Sequence, residues 1–170
     1  MTVTYGGRWS SGDGGPVEDV LERPLLDKLG GEVNRYQDLM FLKAAMAVCA
    51  LTALADDEVK LQERQDIDYA IRIEPSLATF DIGKANQILD GYLSALTTNG
   101  DAAKKILYGK VRRFAGDHKR ARTLMRVAYL VITADHDVHE KELAEFRQLC
   151  GMLGLQPDEV WQNAKIMRAF

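Results

Sequence analysis

At 170 residues the chain is long enough for one domain with its own core, and 46% hydrophobic and 28% charged residues with only four prolines describe an ordinary globular protein. A net charge of −3 gives no global argument for nucleic acid, so none is expected as a partner. No run approaches the ~20 apolar residues that cross a bilayer, so any membrane association is expected to be peripheral or through a partner.

In chain order, residues 1–34 come first and hold seven of the fourteen glycines. The stretch "YGGRWSSGDGGP" has no periodic apolar face and reads as a flexible leader. A short amphipathic piece, Val17–Leu29, is interrupted by Pro24. Residues 35–170 form the expected domain. From Tyr36 the pattern is helical: Leu39, Leu42, Met46, Cys49 and Ala53 recur at steps of three and four. The run "LMFLKAAMAVCALTALA" is apolar on most other faces too, which predicts a central helix.

A second helix is expected over Leu61–Ile73, ending before Pro75, whose ring disfavours helical geometry at Glu74. A third covers Asp81–Leu96 and stops at "TTNG", with Gly100 at its C-terminal end. A fourth covers Ala102–Phe114. The fifth, "KRARTLMRVAYLVITA", starts basic and becomes apolar. The sixth covers Glu140–Leu153, closed by Gly154. The last covers Asp158–Met167, with Pro157 at the first turn, where its missing N–H costs nothing. Trp161, with Val160, Ile166 and Met167, is expected to pack this helix on the core. No segment alternates as a strand would, so the predicted fold is all-α, a single helical bundle of about seven helices.

Two features stand out within that pattern. Residues 101–126 carry nine basic side chains against Asp101 and Asp117, a surplus of seven that leaves the remainder at −10. This segment lacks interleaved aromatics and reads as a charged face suited to an acidic partner or surface rather than to nucleic acid. The second feature is a repeat. "LTALADDEVKLQE", residues 51–63, aligns with "LVITADHDVHEKE", residues 130–142, at a constant offset of 79. Leu51, Ala55, Asp56, Val59 and Glu63 meet Leu130, Ala134, Asp135, Val138 and Glu142, and Glu58 faces Asp137. Matches that keep helix phase on both sides of a corner predict an internal, pseudo-symmetric duplication.

The two Ala-Asp-x-acid-Val-x-x-x-Glu corners, each following an apolar helix, resemble the tellurite-resistance TerB family. The resemblance covers roughly Met40–Leu155. It departs from the family at two places: the residue after the aspartate, often glycine, is Asp57 or His136, and the position before x-x-Glu, often serine or threonine, is Lys60 or His139. The resemblance implies an all-helical cytoplasmic protein, associated in some settings with the inner face of the membrane. It further implies metal binding through acidic residues, and action in stress responses beside a TerC-type integral membrane protein and TerD-type proteins.

Read from the residues themselves, the corners have two accounts. Asp56, Glu58 and Glu63, and Asp135, Asp137 and Glu142, are carboxylates spaced as a hard cation such as calcium or manganese would use, and His136 and His139 widen the second corner toward zinc. The spacing is not that of an EF-hand, whose glutamate stands at loop position twelve. Alternatively, Glu63 and Glu142 stand three residues after the expected N-cap positions, Lys60 and His139, where the glutamate of a capping box reaches back to an orphan N–H. His136 and His139 are expected to face solvent. Cys49 and Cys150 fit no zinc spacing and read as reduced core thiols. No nucleophile elbow, phosphate loop or HExxH motif is present, so the chain is read as no enzyme. The rival to a metal-binding protein is a metal-free helical adaptor or co-chaperone-like module using separate acidic and basic faces.

Overall fold

The computed structural model describes residues 37–55, 61–134 and 136–168, with nothing assigned to the side chains of 61–63. The expected leader over residues 1–34 lies outside the described residues. Among the described residues there are seven α-helices and no strand: α1 (37–53), α2 (Leu61–Ile73), α3 (Ile82–Thr98), α4 (Gly100–Arg112), α5 (His118–Ile132), α6 (Glu140–Leu153) and α7 (Pro157–Arg168). Six of these follow the apolar periodicity to within a residue or two.

The centre of the bundle is α1. Every residue from Phe41 to Ala53 except Lys43 is buried, as a helix apolar on all faces requires. Its many alanines (Ala44, Ala45, Ala47, Ala50 and Ala53) leave room for neighbouring helices to approach closely. Thr52, polar yet fully buried, donates its hydroxyl to the Val48 carbonyl at 2.5 Å and so leaves no orphan group. Near its start, Phe41 meets Phe114 edge to face at 5.7 Å, and the Arg120 guanidinium lies 6.0 Å from both rings.

Around it, α5 packs against α2, α6 and α7, while α4 packs against α3 and α6. Local chemistry sets the ends. Asp81 and Asp117 cap α3 and α5, accepting from the Lys84 and Arg120 N–H groups at 2.8 and 3.1 Å. Gly154, at φ +70, ends α6, and the next N–H, of Leu155, returns to the Cys150 carbonyl at 2.9 Å, a Schellman closure.

Two expectations are corrected. Gly100 does not terminate α3: Asn99 alone separates α3 from α4, and Gly100 is the first residue of α4, which ends at Arg112 rather than Phe114. The last helix also packs differently. Val160 and Ala164 are buried, and Trp161 stacks edge to face on Tyr129 and Phe146 at 4.6 and 5.2 Å, but Ile166 and Met167 are exposed. Ile166 follows Ala164 by two residues, which is 200° around a helix and therefore the opposite face.

The helix boundaries beside the two corners keep the offset of 79. The end of α1 at 53 and the start of α2 at Leu61 stand 79 residues before the end of α5 at Ile132 and the start of α6 at Glu140. Farther on the correspondence stops, because turns run over 74–80 where 79 residues later α7 begins.

Candidate functional site

The second corner is built from the end of α5 and the start of α6. Thr133 ends α5, its N–H and hydroxyl both donating to the Tyr129 carbonyl at 3.0 and 2.8 Å. From α7, Arg168 donates to the Thr133 carbonyl at 2.9 Å and to its hydroxyl at 2.5 Å. A guanidinium at a helix C-terminus satisfies an orphan carbonyl and opposes the negative end of the helix dipole.

The chain then turns through His136, the one non-glycine among the described residues with positive φ, at +64. His139 takes extended geometry as N-cap of α6. Glu142, on a residue only 5% exposed, accepts the His139 N–H at 3.0 Å. The glutamate half of a capping box is therefore formed, as the spacing predicts.

Asp137 projects outward, its side chain 79% exposed, with its Oδ2 3.9 Å from the His139 Nε2. His136 is exposed as expected. His139 is not simply solvent-facing: its Nε2 is shielded from solvent and has no hydrogen-bond partner. A shielded ring nitrogen beside a carboxylate is a donor set that a borderline cation such as zinc accepts.

Of the six carboxylates expected at the corners, the structure places Asp137 and Glu142 at the second corner, Asp137 exposed in the loop before α6 and Glu142 buried within α6. Asp56, Glu58 and Asp135 lie outside the described residues, and of Glu63 only its place in α2 is described. Among the described residues, no three His, Cys, Asp or Glu side chains are arranged to hold one metal ion. At the first corner, Leu54 and Ala55 donate back to Ala50 and Thr52 at 3.1 and 3.2 Å, ending α1. Ala55 borders a hollow of about 340 Å³ reaching Asp101 and Lys104 of α4.

Sequence reasoning missed two buried carboxylates away from the corners. Glu74, 4% exposed, receives Arg126 in a bidentate pair, Nη2 to Oε1 at 2.8 Å and Nε to Oε2 at 3.1 Å. Glu145, 6% exposed, accepts the Tyr108 hydroxyl at 2.8 Å, with the Lys104 Nζ 3.9 Å away. Burial, and then the bond to Glu145, push the Tyr108 hydroxyl well above its ordinary pKa. The available signal for Glu145 was its place on the inward side of α6, one residue before Phe146. Both cysteines are buried and unpaired, and burial pushes each thiol up to about 12.

The family model described as Tellurite resistance protein TerB matches residues 42–165, which is most of the chain. A protein named Tellurium resistance protein TerB, from Alcaligenes sp, is 27% identical over 88 residues, covering 52% of this chain and 69% of its own length. No solved structure matches.

Proposed function

Because the chain belongs to the TerB family, we propose that it is a non-enzymatic tellurite-resistance and stress-response protein that binds a divalent cation at its acidic helix–helix corners. In this reading it is cytoplasmic, docks to membrane-associated partners of the TerC type and works beside TerD-type proteins. No helix among the described residues is long and apolar enough to cross a membrane, which fits action through a partner.

The observation that carries the metal reading is the His139 Nε2, which makes no hydrogen bond among the described residues and stands 3.9 Å from the Asp137 carboxylate, on a side chain 38% exposed. A ring nitrogen without a hydrogen bond has a lone pair or proton left to satisfy, and a cation held with Asp137 would take that lone pair. Asp135, two residues before Asp137, is the natural third ligand, with Asp56, Glu58 and Glu63 as the equivalent set at the first corner. Calcium, manganese or zinc would bring charge neutralisation to carboxylates that otherwise repel one another.

The second reading, a metal-free adaptor, is favoured by a different observation: Glu142 already serves the α6 start as a cap. Titration of the whole chain with calcium, manganese and zinc, followed by amide NMR and calorimetry, separates the two. The metal reading expects shifts at Asp135, Asp137 and His139, and lost binding in Asp135→Asn and Asp137→Asn. Absence of shifts at either corner with all three cations would leave the adaptor reading.

A further inference from the structure

The exposed end of α7 borders a groove that the bundle leaves open. Large apolar side chains stay exposed there: Tyr69 (60%) and Ile73 (42%) of α2, and Ile166 (57%) and Met167 (59%) of α7. Two hollows adjoin, sharing Arg126 and Met167. One, of about 360 Å³, is bordered by Tyr69, Ile73, Pro75 and Leu130; the other, of about 280 Å³, by Arg122, Val160, Asn163 and Ile166.

We propose that this groove is a docking site for an acidic amphipathic helix of a partner protein. Its dimensions and chemistry argue for that occupant. Along α5 the lining runs from Arg122 to Leu130, eight helical steps or about 12 Å, roughly two helical turns. Apolar walls on both sides suit a helix that presents anchors at i, i+3 or i+4, and i+7. Three guanidinium groups (Arg122, Arg126 and Arg168) line the two hollows; Glu74 holds Arg126 and Glu159 holds Arg122, each at 2.8 Å, while among the described residues Arg168 donates only to the neutral oxygens of Thr133 and leaves one positive charge in surplus.

The positive sign selects among occupants. A carboxylate flanking the anchors would meet Arg168 at one end and compete with Glu159 for the exposed Arg122 at the other, whereas a basic helix would meet like charge. A second copy of the chain placed face to face would set the same arginines against one another. The groove is also concave, which suits an inserted helix ridge better than a flat anionic membrane.

Arg168 also reaches Thr133 beside the acidic corner, but no described carboxylate of that corner lines the groove, so its test does not depend on a metal. Display selection of random 14-residue helical peptides on the full chain should enrich apolar residues at i, i+3/i+4 and i+7 flanked by Asp and Glu. The best peptide, followed by fluorescence anisotropy, should weaken tenfold or more toward Ile73→Ser and Met167→Ser, both exposed substitutions that leave helical circular dichroism unchanged. Its Glu-to-Lys version should bind at least tenfold more weakly, added salt should weaken binding, and EDTA should not.

Four results would overturn the proposal. These are failure to enrich any peptide, enrichment of basic or uncharged peptides, equal binding to the two serine variants, and a dimer in sedimentation that Ile73→Ser disperses. Binding to vesicles of anionic lipid through the same residues, with no peptide bound, would equally replace the helix by a membrane surface.

Discussion

At φ +64, His136 holds a backbone geometry that costs a residue with a Cβ roughly 1–2 kcal/mol and that glycine adopts freely. The preference for glycine at this place in the family therefore has a local cause, and histidine is among the residues that tolerate the strain best. His136→Gly is expected to leave stability unchanged or raise it by up to about 1 kcal/mol, because glycine's larger unfolded-state entropy offsets part of the relief. His136→Val should lower it by more than about 1 kcal/mol, and urea unfolding measures both. The Glu74–Arg126 pair makes a larger demand. Removing the guanidinium leaves a buried carboxylate alone, so Arg126→Ala should cost about 3–5 kcal/mol in the same assay. Replacing both residues by leucine should cost less than the single change, since no charge is then stranded.

Among elements, the start of α6 carries the choice between ligand and cap. Glutamine keeps an oxygen that can accept the His139 N–H, whereas alanine does not. Glu142→Gln should therefore keep thermal stability within about 0.5 kcal/mol of the parent, while Glu142→Ala loses about 1 kcal/mol. If Glu142 also ligates a cation, calorimetry of the glutamine variant will show weakened binding without the stability loss. Much at this scale was legible beforehand. The place of Glu142, three residues after His139, pointed to the cap, and Gly154 and Pro157 marked ends that the structure keeps. Gly100 misled, because glycine commonly closes helices; here Asn99 makes the break and Gly100 opens the next helix.

For the molecule as a whole, burial couples the thiols to stability. Cys49 and Cys150 titrate near 12 in the fold against 9.0 when unperturbed. Above pH 9 the unfolded chain releases these protons while the folded chain keeps them, so stability is full below pH 9 and is lost as pH rises from 9 toward 12. The slope is about 1.4 kcal/mol per pH unit for each thiol, and Cys49→Ala should make the decline shallower in urea titrations at pH 8 to 10.5. Neither thiol should react with a disulfide reagent at pH 8 until the chain unfolds.

The basic segment has a comparable whole-molecule meaning. Several of its cations are engaged from other elements: Arg126 by Glu74, Arg122 by Glu159 at 2.8 Å, Lys104 by Glu145, and Arg120 by two phenyl rings. What reads as one charged face in sequence is partly a set of fastenings between helices. The helices, the buried α1 and the capping glutamate were determined by sequence alone, because each depends on residues three or four apart. Which carboxylates are buried, why Ile166 and Met167 remain exposed, and which guanidinium reaches Thr133 were decided only by the tertiary structure. Those contacts join residues 35 to 52 positions apart, and no local period encodes which faces of two distant helices meet.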